Sequence, residues 1–226
     1  MQRLRIRYAK RGRLRFTSHR DFSRAFERAV FRARVPMAYS SGFNPHPRIS
    51  YAGAAPTGAA SEAEYLELAL AQVVDPADVH GTLGEALPEG LDIVEVVESP
   101  GGSLSDLLQA SHWRLRVATP TDPTAAVEKF LAAEEVFVER MTKKGLRRLD
   151  ARAPVVTLTV GESEPPHVVL DLVIRHVEPA VRPDDVLTAL AGVSGVDTLG
   201  LPVVTRLVQG PLDDTTGEIG DPLRPA

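Results

Sequence analysis

The sequence predicts an α+β protein made of two tandem ferredoxin-like units, each with the element order βαββαβ and an antiparallel sheet. Segments that alternate polar and apolar residues predict strands, and segments of helical periodicity between them predict helices. Helix starts fall near residues 18 and 76 in the first half and near 122 and 183 in the second, so their spacing is similar. A chain of 226 residues is also long enough for two domains of ordinary size.

The elements of the first half follow from local patterns. Residues 3–8 alternate arginine with apolar side chains, which predicts a half-buried strand with its arginines on the outer face, and the alternation resumes over 13–16. Thr17 or Ser18 can cap the next helix, and Pro36 ends it. The remaining predicted elements are, in order, a strand over 49–52, a strand over 65–70, a helix that begins at Pro76 and a strand over 91–97.

The second half shows the same signals. Its predicted strands cover 113–117, 136–141, 155–160, 168–174 and 201–208, and its predicted helices begin at 122 and 183. We therefore expect one unit over 1–98 and a second over 112–208. Residues 209–226 are rich in aspartate, glycine and proline, which predicts a flexible tail.

Basic residues are concentrated near the start of the chain, although the whole protein has a net charge of −4. Residues 1–50 contain 13 of the 26 lysines and arginines and only two acids, Asp21 and Glu27, so this segment carries +11 and the remainder −15. Such asymmetry predicts a polyanionic partner, which we expect to be RNA. The alternative, that the basic segment packs against acidic parts of the same protein, stays open.

The basic residues fall on particular faces and loops. In the first predicted helix, arginines repeat every four residues, away from an apolar stripe that includes Phe22 and Phe26. His46, between two prolines in a turn-rich loop, suits contact with an unstacked base or a phosphate, although a rigid turn explains it equally well. A second basic cluster over 140–148 is either an RNA contact or a solvated hairpin tip. The predicted RNA contacts are Arg13, Arg15, Arg20, Arg24, Arg28, Asn44, His46, Arg48, Lys143, Lys144, Arg147 and Arg148.

His19 is the candidate catalytic residue. It lies in the first turn of the predicted helix, near several arginines that favour its neutral form, so it could act as a general base. The alternative is a structural histidine, because its helical angle directs the ring toward Phe22 and Phe26.

Several function classes are excluded or disfavoured. The chain has no cysteine, which excludes disulfides, thiolate zinc sites and cysteine-ligated iron–sulfur clusters. The segment Gly53–Gly58 has the glycine spacing of a P-loop but lacks its lysine, and no set of acids suits two metals. No apolar run is long enough to span a membrane, and the first residues do not resemble a signal peptide. We therefore expect a cytoplasmic protein without a metal, a cofactor or a membrane partner.

Two motifs in the first half are similar to those of a bacterial family. They are Lys10-x-Gly12-x-x-Arg15-Phe16-x-Ser18-His19-x-Asp21 and Pro36-x-x-Tyr39-Ser40-x-Gly42-Phe43-Asn44-Pro45-His46-Pro47. Over about residues 4–70 the chain resembles the radical-SAM-linked protein family, whose members are encoded beside, or fused to, a cobalamin-binding radical SAM protein. The resemblance implies such a protein as a partner. It makes the motif positions His19, Asp21, Asn44 and His46 candidates and assigns no activity to them.

These observations predict a non-catalytic RNA-binding accessory protein that presents structured RNA, ribosomal or transfer RNA, to a radical SAM modifying enzyme. Radical SAM clusters are held by cysteine thiolates, so this chain without cysteine is itself not such an enzyme. Two alternatives remain: a metal-independent endoribonuclease that uses a histidine as acid and base, and an adaptor whose basic face meets an acidic protein.

Overall fold

The protein is an α+β structure with antiparallel sheets, as the sequence predicts. The computed structural model describes residues 1–119, 122–142, 145–164, 166–195 and 202–225. The chain forms two compact units: Met1–Leu108 with Asp221–Ala226, and Gln109–Gly220. No helix in the described part of the chain is long and apolar enough to cross a membrane.

The first unit contains a four-stranded antiparallel sheet of order β4-β1-β3-β2. Its elements are, in order, β1 (Gln2–Lys10), a 3-10 helix (Gly12–Phe16), α1 (His19–Arg32), β2 (Ile49–Ala52), β3 (Ala60–Leu70), α2 (Pro76–Ala86), β4 (Leu91–Glu98) and the short α3 (Leu104–Leu107). The central strand β1 pairs on both sides, so that Ile6 lies opposite Leu66 of β3 and Val96 of β4.

The main core of the first unit lies between this sheet and its helices. Leu4, Ile6 and Tyr8 of β1 are buried there with Phe22 and Phe26 of α1, which confirms the predicted apolar stripe. The rings of Tyr8 and Phe22 stack with their centroids 4.5 Å apart. Because this stripe fixes one side of α1 against the sheet, the opposite side of the helix faces solvent.

Side chains cap the starts of α1 and α2, and Ser18 does so as the sequence predicts. The Ser18 side chain accepts a hydrogen bond from the backbone N–H of Asp21, and Asp75 accepts one from Ala77 at 2.9 Å. Each bond satisfies a backbone donor that the first helical turn would otherwise leave unpaired. After α1 the chain reverses through Arg34, whose φ of 54° is left-handed.

The second unit also contains a four-stranded antiparallel sheet, of order β10-β5-β9-β8. Its elements are, in order, β5 (Ala110–Ala118), α4 (Thr124–Ala132), β6 (Phe137–Thr142), β7 (Gly145–Asp150), β8 (Val155–Glu164), β9 (His167–Arg175), α5 (Pro183–Ser194) and β10 (Val203–Gly210). Strands β6 and β7 form a separate two-stranded hairpin. The predicted strand over 136–141 is therefore one arm of this hairpin rather than part of the main sheet.

Two predicted elements differ in the structure. Residues 13–16 form part of the 3-10 helix rather than a strand, because short-range bonds from Leu14 N–H to the Arg11 carbonyl and from Thr17 N–H to the Leu14 carbonyl close its turns. The arginines of β1 are also not all on a solvent-facing side, since Arg5 is 0 % exposed. Residues 101–102 and 222 cover it and accept its hydrogen bonds.

The segment predicted to be a flexible tail is packed. Leu212 and Ile219 form a β-bridge within the second unit. The last residues return to the first unit, where Leu223 is 2 % exposed and clusters with Tyr65, Leu104 and Leu108. Apolar burial of this leucine outweighs the composition of the segment, which had suggested disorder.

Candidate nucleic-acid interface

The exposed face of α1 carries a row of arginines. Arg20, Arg24 and Arg28 are all exposed, as the sequence predicts, and Arg32 continues the row. None of them forms an ion pair with any residue that the structure describes. Like charges four residues apart on a helix repel, at a cost of about 0.2–0.5 kcal/mol per pair. The helix therefore tolerates an unfavourable arrangement that a bound anion would relieve.

An apolar ring interrupts this row. Phe31 is largely exposed, and it lines an open depression on the helix surface together with Arg24, Glu27, Arg28 and Arg32. Glu27 is the only acid among these side chains. The depression thus combines three guanidinium groups with one phenyl ring, which is a combination suited to a phosphate and a base.

The 3-10 helix carries two more of the predicted contacts. Arg13 is exposed, and the Arg15 guanidinium lies over the Phe16 ring, 4.7 Å from its centroid. The Nε atom of Arg15 is buried and has no hydrogen-bond partner among the described residues. The Gly58 N–H donates to the Arg15 carbonyl at 2.8 Å, so the loop with P-loop-like glycine spacing supports this turn.

The loop over 39–48 brings together the remaining predicted contacts of the first unit. Tyr39 and Pro47 form a β-bridge, the Ser40 N–H donates to the His46 carbonyl at 2.9 Å, and the His46 N–H donates to Ser40 Oγ at 3.0 Å. These bonds close the loop, and Phe43 at its tip is fully exposed. The predicted contacts on this loop, all exposed, are Asn44, His46 and Arg48.

The arginines of β1 and its C-terminal end behave differently. Arg3 and Arg5 both bind Glu67, at 2.9 and 3.2 Å. Arg11 forms ion pairs with Glu62 and, at 2.9 Å, with Asp92. Burial alone would raise the pKa of Glu67, but hydrogen bonds from Ser99 and the two strand arginines hold it below its usual value. For these arginines, packing against acids of the same unit is the correct interpretation.

His19 is exposed and does not pack on the predicted phenylalanines. Its ring meets the Tyr51 ring edge to face, with centroids 5.0 Å apart. The nearby Asp21 carboxylate instead accepts a hydrogen bond from the Ser18 hydroxyl at 2.7 Å. The predicted orientation was therefore wrong, because Tyr51 on the edge strand β2 lies beside the first turn of α1. No carboxylate of the described chain pairs with His19.

Tyr51 is half-buried beneath this histidine. Burial raises the pKa of Tyr51 to about 12, with Ser23 opposing the shift and Glu27 adding to it. Its hydroxyl is buried and has no partner of hydrogen-bond geometry in the described part of the chain. Tyr51 is therefore unavailable as a stacking platform, although it lies beside the first turn of α1.

The second basic cluster lies in the other unit, on the hairpin of β6 and β7. Arg147 and Arg148 are exposed, and the Arg148 guanidinium stacks on Phe137 at 3.7 Å. Lys143 and Lys144 lie outside the described residues. Arg140, by contrast, is tied to Asp185 at 2.6 Å.

The sheet of the second unit carries a polar network that the sequence does not predict. His112 and Arg114 of β5 both contact Asp171 of β9, at 3.1 Å each. The alternation of β5 could have revealed His112 and Arg114 as a shared face, but their pairing with Asp171 depends on a strand register that is not local. Among the described residues, no group of histidines and acids could hold a metal ion.

Most of the chain matches one sequence family. A sequence family described as an uncharacterized protein conserved in bacteria (DUF2344) matches residues 3–183. The chain belongs to this family. Within DUF2344, the matched segment includes the 3-10 helix, α1 and the loop over 39–48, together with most of the second unit. No curated protein matches the chain in sequence.

Solved structures resemble this DUF2344 chain in fold. One is a chain in the crystal structure of a Cbf5-Nop10-Gar1 complex, with a TM-score of 0.50 and 10 % sequence identity. The match covers 91 % of the present chain and 48 % of the other, so this chain spans about half the length of that neighbour. At this identity the likeness concerns the fold alone.

Proposed function

We propose that the first unit binds RNA through the basic surface, defined as the 3-10 helix, the exposed face of α1 and the loop over 39–48. The proposal rests on the contrast between two sets of arginines in one segment. Arg3, Arg5 and Arg11 are paired with carboxylates of their own unit, whereas the arginines of the basic surface have no ion-pair partner among the described residues. An RNA backbone would supply the missing negative charge and release counterions as it binds.

Exposed aromatic rings favour RNA with unpaired nucleotides. Five aromatic side chains in the described chain are exposed, and four of them, Phe16, Phe31, Tyr39 and Phe43, belong to the basic surface. Aromatic rings stack on bases only where the bases are accessible, as in loops and single strands. If the charges of this surface served only to keep the protein from aggregating, exposed aromatic rings would not be needed beside them.

In this proposal the protein is a non-catalytic accessory that presents structured ribosomal or transfer RNA to a cobalamin-binding radical SAM enzyme. The support is the resemblance of the motifs around His19 and His46 to the radical-SAM-linked family. The chain itself supplies no cysteine for an iron–sulfur cluster. We also propose that both units are ferredoxin-like, which is supported by their identical strand order when the hairpin of β6 and β7 is treated as an insertion.

One observation favours a metal-independent endoribonuclease as a second candidate. His19 is exposed beside Arg20, where a histidine could take a proton from a ribose hydroxyl while a guanidinium holds the phosphate. The absence of a carboxylate partner for His19 among the described residues weighs against it, because an orienting group usually fixes a catalytic imidazole.

The test is crosslinking and sequencing of RNA bound to the protein in cells, followed by titration of the recovered RNA at several salt concentrations. We expect specific RNA and an affinity that falls steeply with salt. An acidic protein recovered in place of RNA, with no affinity for RNA at low salt, would support the adaptor instead. Cleavage of the recovered RNA in the presence of EDTA would support the nuclease.

A further inference from the structure

One face of the sheet in the second unit is exposed in the part of the chain that the structure describes. Along β5, Trp113, Leu115 and Val117 are buried, and Val117 lines a cavity with residues of α4 and α5. The alternate residues His112, Arg114 and Arg116 therefore lie on the other side of the sheet. The Arg114 side chain is 52 % exposed there, and Arg116 is also exposed. This open face is the surface formed by these three residues and their neighbours on β8, β9 and β10.

A three-residue network organises the centre of the open face. Asp171 of β9 lies directly opposite Arg114 in the strand register. Its Oδ1 atom accepts hydrogen bonds from Arg114 Nε and His112 Nε2, both at 3.1 Å, and its Oδ2 lies 3.5 Å from Arg114 Nη2. With Asp171 ionised, the imidazole proton is held on Nε2, and the Nδ1 lone pair of a neutral ring remains as an acceptor.

The same network leaves Arg114 with free donors. A guanidinium has five N–H bonds in a planar fork, and two of them point to Asp171. Arg114 makes no other hydrogen bond to a described residue, so the other three are available to a ligand, and the bonds to Asp171 orient them. An arginine fixed in this way loses less side-chain entropy when it binds a phosphate.

A glycine keeps the carboxylate accessible. A Cβ atom at Gly161 of β8 would lie 3.4 Å from Asp171 Oδ2, and a larger side chain would cover that oxygen. The φ angle of Gly161 is not positive, unlike that of the glycines whose backbone conformation favours glycine. Gly161 also lies in the register shift between Val160 and Ser163, so both the strand irregularity and the space beside Asp171 suit a glycine.

Arg116 extends the positive charge of this face. It forms no ion pair with any described residue, and it lies opposite Val169 on one side and Val203 on the other. Of the three charged side chains Arg114, Arg116 and Asp171, two are positive. The four strands carry one aromatic residue, Trp113, and its ring is buried on the opposite side. The open face can therefore hold an anionic backbone but cannot stack on bases.

We propose that the open face binds the sugar–phosphate backbone of RNA and distinguishes it from DNA. Arg116 and the free edge of Arg114 bind phosphate, and His112 Nδ1 accepts the hydrogen of a ribose 2′-hydroxyl. The 2′-hydroxyl is the group by which a protein can tell RNA from DNA. This inference rests on the proposed function, since it assigns a second RNA contact in the same protein.

The experiment uses the full-length protein with single-stranded RNA and DNA oligonucleotides of one sequence, at 0.1 M salt. We expect Arg116→Gln to weaken binding of both by about 5-fold, because one phosphate contact of a single strand is lost. His112→Ala should weaken RNA binding at least about threefold and leave DNA binding unchanged, so the ratio of the two affinities falls. Lys129→Gln on α4 removes the same charge from the helical side of the unit and should change neither affinity.

Two results would overturn the inference separately from the proposed function. In the first, the original protein binds RNA and substitutions in α1 weaken this binding, but Arg116→Gln and His112→Ala bind RNA and DNA as the original protein does. This result would exclude only the open face as an RNA-binding site. If the original protein binds no RNA at low salt, both proposals fail. Arg116 has no ion pair to lose among the described residues, so its variant keeps the test valid even if His112→Ala is poorly folded.

Discussion

Replacing Arg20, Arg24 and Arg28 together by glutamine tests the basic surface most directly. Each phosphate contact to a single strand contributes about 0.7 to the slope of log affinity against log salt. Three lost contacts should therefore lower RNA affinity by about 100-fold at 0.1 M salt, and by only about 4-fold at 0.5 M. The assay is fluorescence anisotropy of labelled RNA across this salt range.

The same change should weaken RNA binding without lowering the stability of the protein. Removing the three charges relieves the repulsion between arginines four residues apart, worth about 0.2–0.5 kcal/mol per pair, so we expect Tm to stay equal or rise slightly. The matched control replaces the same three arginines by lysine, which keeps the charges and should preserve most of the salt slope. Equal affinity and equal slope for the glutamine variant and the original protein would refute the argument that α1 binds RNA.

The remaining predictions concern single residues. Glu27→Gln removes the acid from the depression on α1 and should strengthen RNA binding, as measured by the same titration. Phe43→Ala should cost about 1–3 kcal/mol of RNA binding without changing Tm, because its ring is fully exposed. His19→Ala should lower stability by about 0.5–1.5 kcal/mol, because the variant loses the contact with the Tyr51 ring. If the original protein instead cleaves RNA without metal, and the variant loses this cleavage at unchanged Tm, the nuclease is favoured. The pKa of Tyr51 is about 10 in the unfolded chain and about 12 in the folded protein, so its contribution to stability is present below pH 10 and is lost as the pH rises to 12. Tyr51→Phe should remove this loss of stability at alkaline pH, as measured by melting curves. Leu223→Ala should destabilise the protein by about 2–5 kcal/mol in urea denaturation, and an unchanged midpoint would contradict the packing of the last residues.

Local patterns in the sequence predict much of the fold. The periodicity of α1 and the capping residues Ser18 and Asp75 are sufficient to place two helices, because these signals act over three or four residues. The same periodicity identifies the exposed arginines of the basic surface. Their exposure follows from the apolar stripe on the other side of the helix, which needs no knowledge of distant residues.

Long-range contacts explain the rest. Arg5 has the same alternating neighbours as Arg3, yet it is fully buried because segments almost a hundred and more than two hundred residues away supply its carbonyl acceptors. His19 has the helical angle of a core residue, but the position of Tyr51 is set by the pairing of β2 with β3. Asp171 likewise meets its partners only through strand register. Such contacts have no signature in a local window of sequence.

The discontinuity of the first unit bears on how the protein is made. Arg5 donates a hydrogen bond to the carbonyl of Pro222. In a nascent chain, Arg5 is therefore synthesised long before this acceptor leaves the ribosome. Translation of Gln109–Gly220 occupies roughly 6–22 s at usual bacterial rates of elongation. The second unit has all of its residues at the end of that interval, whereas the apolar surface that Leu223 covers beside Leu104 has stayed open throughout it. A chain arrested before residue 221 would therefore expose a surface that chaperones and proteases recognise.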